Sequence, residues 1–200
     1  MTQIKGMIFD KDGTLFDFGA TWETWASAFL LRLCDGDTER AFEIGKALEF
    51  DMRTQTFSKT SVVIAATPPD IAHSLAPFFP HMTLTDLLDL LNEEAEQAPQ
   101  REAVPLVPFL TDLRARGLRL GVATNDAEKP ARAHLEQASA TGFFDFIAGY
   151  DSGFGGKPGP GQLMAFADRY QLQTDQCVMV GDSTHDLRAG RAAGMQTFGV

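Results

Sequence analysis

A short apolar run, Ile4 to Phe9, ends abruptly in Asp10-Lys11-Asp12-Gly13-Thr14. Its length and its polar end predict a buried strand that delivers polar side chains at its carboxyl end. From about Thr21 to Gln97 the period changes. Trp22, Trp25, Phe29 and Leu33 recur at the spacing of one helical face, and Ala41, Ile44, Leu48 and Met52 continue in that style. Asp70 opens another helical stretch as a candidate cap, and Thr85 to Gln97 is predicted helical, ending before Pro99. The block reads as nearly all helix and able to pack on itself.

After Pro105 the pattern alternates. Helices are predicted over Val107–Arg116, stopped by Gly117, over Glu128–Ala138 with Pro130 tolerated in the first turn, over Gly161–Tyr170 and over Asp186–Ala193. Strands are predicted at Leu118–Ala123, Phe146–Ala148, Cys177–Val180 and Gln196–Val200. Repeated strand–helix units imply an α/β fold, a doubly wound parallel sheet of Rossmann-like form. Residues 1–17 and 100–200 are expected to form this core, with residues 18–99 inserted as a helical cap domain. In such sheets ligands bind beyond the carboxyl ends of the strands. The polar groups following the strands are Asp10-Lys11-Asp12, Thr124-Asn125-Asp126, Asp151 and Gly181-Asp182-Ser183, so acidic groups from separate strands are expected to meet at one edge.

Composition narrows the partners. The chain has 200 residues, 44% of them hydrophobic, enough for a sizeable core, and a net charge of −10. That charge argues against nucleic acid or an anionic membrane as the main partner. It does not argue against a phosphorylated metabolite, because a metal ion and one lysine make a local positive site in an acidic protein. Cys34 and Cys177 are far apart and outside any CxxC, so a disulfide framework is not expected. The apolar start is too short for a signal peptide, and no apolar run is long enough to span a membrane. A soluble cytoplasmic protein, monomer or homodimer, is the expectation.

Two carboxylates at a strand end, Asp10 and Asp12, start on the same face and repel unless a cation accompanies them. Asp182 would add a third carboxylate. With no His or Cys cluster beside them, an oxygen-loving cation such as Mg²⁺ suits this set, and it suits phosphate oxygens as well. Gly13 and Thr14 permit a tight turn and offer N–H groups or a hydroxyl to an anion.

Asp10-Lys-Asp-Gly-Thr-Leu, Thr124 after an apolar strand, Lys157-Pro158 and Gly181-Asp-Ser-x-x-Asp186 stand in the order of the four motifs of the haloacid dehalogenase superfamily, and the chain resembles that family over essentially its whole length. Gly156-Lys-Pro-Gly-Pro, Gly181-Asp-Ser-Thr-His-Asp and Arg191-Ala-Ala-Gly-Met look like its phosphoglycolate phosphatase branch, as does a helical cap after the first motif. The resemblance implies a Mg²⁺-dependent phosphomonoester hydrolase with Asp10 as nucleophile and Asp12 as acid and base. It implies Thr124, the Asn125 backbone, Gly13 and Lys157 as phosphate binders, and Lys157 as the charge neutraliser. Asp10, Asp182 and the Asp12 carbonyl would hold Mg²⁺. Asp186 would orient the metal's water or Lys157, and Ser183 would cap or support the metal's surroundings. The first candidate substrate is 2-phosphoglycolate.

Lys11 departs from the family, where apolar residues are common at this position; its side chain is expected to reach solvent or to salt-bridge locally, the alternative being that it depresses carboxylate pKa values beside the nucleophile. Phe16 and Asp17 are expected where the inserted block leaves the core, lining an entrance. Trp22 and Trp25 are assigned to the cap's core. Arg53 and Lys59 are surface cations that a substrate carboxylate could meet, and Lys46 and Lys59 are the lysines an imine-forming phosphonate hydrolase would need. His73, His81 and His134 are expected to be solvated or structural, and His185 is left without a role. The competing readings are a sugar phosphomutase of the same fold and a non-catalytic phosphometabolite-binding protein. A dehalogenase is disfavoured, since that branch lacks the second aspartate.

Overall fold

The computed structural model describes residues 3–58, 60–64 and 66–200. They form two compact units, Met1–Asp17 with Gln100–Val200, and Phe18–Pro99. Along the chain, β1 (Gly6–Phe9) comes first.

The second unit follows. A π-helical turn at Gly19–Glu23 leads into α1 (Thr24–Leu33), and α2 (Thr38–Ala47) starts at Asp37, whose carboxylate accepts the Arg40 N–H at 3.1 Å. A small antiparallel hairpin, β2 (Phe50–Asp51) with β3 (Thr56–Phe57), precedes α3 (Pro68–Leu75) and α4 (Leu84–Glu96). Its core is its own: Phe29, Leu30, Ile44, Leu48, Phe50, Leu75, Leu87 and Leu91 are buried together. Trp25 stacks on Phe29 with centroids 4.7 Å apart, and Trp22 is buried nearby. Each such side chain contributes about 1.5–3 kcal/mol by leaving water.

Two expectations fail in this unit. The helix through Ala41 and Ile44 does not continue to Met52, because Glu49 turns to φ 52° and the chain enters the hairpin. Asp70 is not the cap residue of α3. Thr67 holds that place, and Asp70 from the first turn reaches back to the Thr67 N–H at 2.9 Å and its hydroxyl at 2.6 Å.

The first unit then resumes with α5 (Leu106–Ala115), β4 (Arg119–Ala123), α6 (Glu128–Gln137), β5 (Phe146–Ala148), α7 (Gly161–Arg169), β6 (Cys177–Gly181), α8 (Thr184–Ala192) and β7 (Gln196–Gly199). Gly117 at φ 78° closes α5, a conformation glycine adopts without steric cost. The five strands are parallel in the order β5-β4-β1-β6-β7. One sheet face buries Ile8, Phe146 and Met179 with Leu163, Phe166 and Ala189. The other buries Phe9, Val122 and Val180 with Leu106, Leu110 and Leu135. Both faces are covered by helices, which is why the strands read as unbroken apolar runs. Phe16 is fully buried in this second layer, so it belongs to the core and not to an entrance. Both cysteines are free and buried, and no helix among the described residues is long and apolar enough to cross a membrane.

Candidate active site

Register places the site. Phe9 of β1 lies level with Val122 of β4 and with Val180 of β6. Asp10 follows Phe9 directly, and Thr124 and Asp182 come one position further along their strands, so all three leave the sheet at its carboxyl edge. The chain moves outward from β1 to β4 and β5, then returns to β6 on the other side of β1; such a reversal leaves a crevice.

Asp10, Asp182 and Asp186 offer carboxylate oxygens that lie within 4.8 Å of one another. Lys157, on the loop before α7, places its Nζ 2.6 Å from Asp10 Oδ1 and 2.6 Å from Asp186 Oδ1. The Lys11 backbone N–H donates to the same Asp10 Oδ1 at 2.7 Å. Burial pushes the Asp10 carboxyl up to about 7, assisted by Asp186 and Asp12 and opposed by Lys157. Burial and Asp186 raise Asp182 as well. Burial works to lower Lys157, but the facing Asp10 and Asp186 carboxylates outweigh it and raise it. An oxygen-only set of three carboxylates in one place, two of them raised by burial, is a fit for a hard divalent cation.

Local sequence explains each placement. Gly13 stands at φ 82°, and a Cβ there would lie 2.2 Å from Asp182 Oδ2; only glycine lets the turn and the carboxylate share this space. Ser183 caps α8, its hydroxyl reaching Asp186 Oδ2 at 2.6 Å and its N–H at 2.9 Å. That capping box starts α8 at Thr184, earlier than predicted, and locks Asp186 in the first turn with its other oxygen on Lys157. Thr124 is buried, and its hydroxyl accepts the Asp126 N–H at 3.1 Å.

Several placements were not legible in the sequence. The Asn125 side chain clamps the Lys157 loop: its Nδ2 donates to Lys157 O at 2.9 Å, and its Oδ1 accepts from Lys157 N at 2.7 Å. Gln162, fully buried on α7, donates to Thr124 O and to Gly155 O, each at 3.0 Å. Asp151, expected at the site edge, instead accepts the Glu128 N–H at 2.8 Å in the first turn of α6. The Asp12 carboxylate is not in the acidic cluster; it pairs with Lys11 Nζ at 2.7 Å. Lys11 does not reach solvent. It is 0% exposed, and its Nζ also lies 3.0 Å from His134 Nδ1 and 3.5 Å from Asp126 Oδ2. His134 is thus buried in this network, not solvated. The two strand-end aspartates are met by two different lysines, where the sequence suggested one shared cation. Phe9 faces the layer of Leu135, and two-residue alternation sends Lys11 toward the same helix, α6; that alternation is a sequence signal that could have found the burial.

In the second unit, the Arg53 guanidinium sits over the Phe42 ring at 5.9 Å, and Lys46 pairs with Glu43 at 2.6 Å. Lys59 lies outside the described residues. His73 Nδ1 meets Pro69 O at 2.7 Å, and His81 packs edge-on to Phe79.

The pattern of the haloacid dehalogenase-like hydrolases matches residues 4–194. A phosphoglycolate phosphatase from Nitrosospira multiformis is 30% identical over 98% of this chain and 83% of its own length. The probable phosphatase IndB from Dickeya dadantii is 30% identical over 97% of this chain and 80% of its own. Among solved structures, a predicted phosphoglycolate phosphatase from Haemophilus somnus aligns with a TM-score of 0.73 at 20% identity, covering 100% of this chain and 86% of that one, a likeness of fold. The chain belongs to the haloacid dehalogenase-like hydrolase family, and within it is a phosphatase of the phosphoglycolate phosphatase-like kind.

Proposed function

We propose that the chain is a Mg²⁺-dependent phosphomonoester hydrolase that works through an aspartyl-phosphate, with 2-phosphoglycolate as the first candidate substrate. The observation that carries this is Lys157 Nζ set 2.6 Å from both Asp10 Oδ1 and Asp186 Oδ1, inside a three-carboxylate cluster. The Lys11 N–H and Lys157 Nζ both bond to Asp10 Oδ1, which supports Oδ2 as the attacking oxygen.

In the first half-reaction Asp10 Oδ2 attacks phosphorus. The bond from phosphorus to the substrate's ester oxygen breaks, and Asp12 gives that oxygen its proton. In the second, Asp12 takes a proton from water, whose oxygen bonds to phosphorus as the bond to Asp10 breaks, releasing inorganic phosphate. Lys157 offsets the charge on nucleophile and phosphoryl oxygens, and the Thr124 hydroxyl, the Asn125 N–H and the Gly13 turn hold those oxygens. Asp10, Asp182 and the Asp12 carbonyl would hold Mg²⁺, and Asp186, fixed by Ser183, would orient the metal's water or Lys157. The bound ion supplies positive charge that keeps Asp10 ionised and neutralises the transferring phosphoryl group. Residues 18–99 are assigned the role of a cap that selects substrate and excludes water. The two unpaired, buried thiols suit a reducing compartment, and the cytoplasm is the proposed location.

The test is phosphate release from a panel of small phosphate esters during Mg²⁺ titration. Turnover that needs the metal and is lost in Asp10→Asn is expected. No release across the panel with metal present would sink the proposal.

A further inference from the structure

The Lys11 side chain has no part in the chemistry above, yet it is the largest fully buried polar side chain among the described residues. Burial of an ammonium is costly unless it is hydrogen-bonded and paired, and here Asp12 Oδ1 at 2.7 Å and His134 Nδ1 at 3.0 Å bond to it while the Asp126 carboxylate stands at 3.5 Å. Asp126 follows β4 and His134 lies on α6, so the ammonium is braced by two elements of the core. Its main chain is braced too, because the Lys11 carbonyl accepts the Leu15 and Phe16 N–H groups at 2.9 and 3.0 Å. A flexible lysine stem, held at both ends, becomes a fixed point.

Asp12 is what this fixed point touches. Its side chain is 16% exposed, and Lys11 Nζ lies 2.7 Å from its Oδ1. We propose that Lys11 is a positioning residue: its buried ammonium, braced by Asp126 and His134, holds the Asp12 carboxylate in the one rotamer that serves the leaving oxygen. This rests on the reading of Asp12 as acid and base. The proton passes from Asp12 to the ester oxygen as its bond to phosphorus breaks and the bond from Asp10 forms; Lys11 exchanges no proton in the step.

Leaving-group chemistry separates positioning from mere support. Acetate departs from acetyl phosphate without protonation, whereas an alkoxide from 2-phosphoglycolate or glycerol phosphate requires it. The ratio kcat/KM reports events up to departure of that group and is unaffected by hydrolysis of the shared intermediate. In the full chain with Mg²⁺, Lys11→Met is expected to lower kcat/KM for the alkyl phosphates about 10- to 100-fold, the scale of a misplaced acid. For acetyl phosphate the fall is expected to stay under about 3-fold, because no acid is needed there. Lys11→Met/Asp126→Asn, which also removes the carboxylate left buried without its cation, is expected to show the same contrast. An equal loss for both ester classes, no loss at all, or failure of both variants to fold would overturn the positioning role while leaving the phosphatase reading intact. Absence of release by the unaltered protein from either ester class would overturn both.

Discussion

Replacing Lys157 by Met keeps the length of the side chain and removes its charge. Lys157 Nζ stands 2.6 Å from Asp10 Oδ1 and from Asp186 Oδ1, with the three side chains 3%, 12% and 0% exposed. Water cannot screen what remains, so Lys157→Met leaves two carboxylates facing each other with no lysine between them. Removing one partner of a buried pair costs about 3–5 kcal/mol. At about 2–4 °C per kcal/mol for a chain of this length, Tm in metal-free buffer is expected to fall by about 6–20 °C. The pH dependence adds a second check. Asp10 stands at about 7 in the fold against an ordinary 3.8, so the native state binds its proton more tightly than the unfolded chain does. Stability therefore falls as pH rises from the ordinary value through the folded one. In the unaltered protein that fall levels off near 7, whereas without Lys157 the Asp10 carboxyl is raised further and the fall continues. Lys157 is itself raised above its ordinary 10.5, so its stabilising charge is constant over the range tested. The deficit of Lys157→Met should be small at about pH 5 and largest at about pH 8, read by thermal unfolding followed by circular dichroism. Equal Tm values at the higher pH, or a larger deficit at the lower one, would refute the reasoning.

Asp10→Asn removes the titrating group itself. Metal-free stability, read as a urea midpoint, is expected to decline less steeply between about pH 4 and pH 7 than in the unaltered protein, while turnover is lost. Gly13→Ala meets both a positive φ, costing about 1–2 kcal/mol, and a Cβ that displaces the Asp182 carboxylate. A lower Tm and a higher Mg²⁺ concentration for half-activation are expected; an unchanged metal requirement would contradict the shared space. Ile44→Ala empties a fully buried position in the core of residues 18–99 and should destabilise that unit by about 2–5 kcal/mol, measured by hydrogen exchange at α2 and α3. Protection of β1 and β6 is expected to stay as it was, because their core is separate.

Much of the core was legible because its signals are local. Apolar runs such as Cys177–Gly181 sit between layers of helices and need no partner to be recognised. The motif residues Asp10, Thr124 and Asp182 follow three strands, and parallel register carries them to one edge. The small hairpin after α2 was not legible, since two-residue strands have no period to read and Glu49 adopts a left-handed turn without being glycine. Nor was the capping by Thr67 in place of Asp70, because both residue types cap and only the start of α3 at Pro68 separates them.

The sequence by itself determined the fold class and the order of the motif residues along the chain, because periodicity and motif spacing are properties of the chain alone. Only the tertiary structure decided which cation meets which carboxylate. Lys157 reaches Asp10 and Asp186 from a distant loop held by the Asn125 side chain, and Lys11, at a strand end, is buried between His134 of α6 and Asp12. Charge pairing acts over a few ångströms, and such distances between residues far apart in the chain exist only once the sheet and its helices have packed.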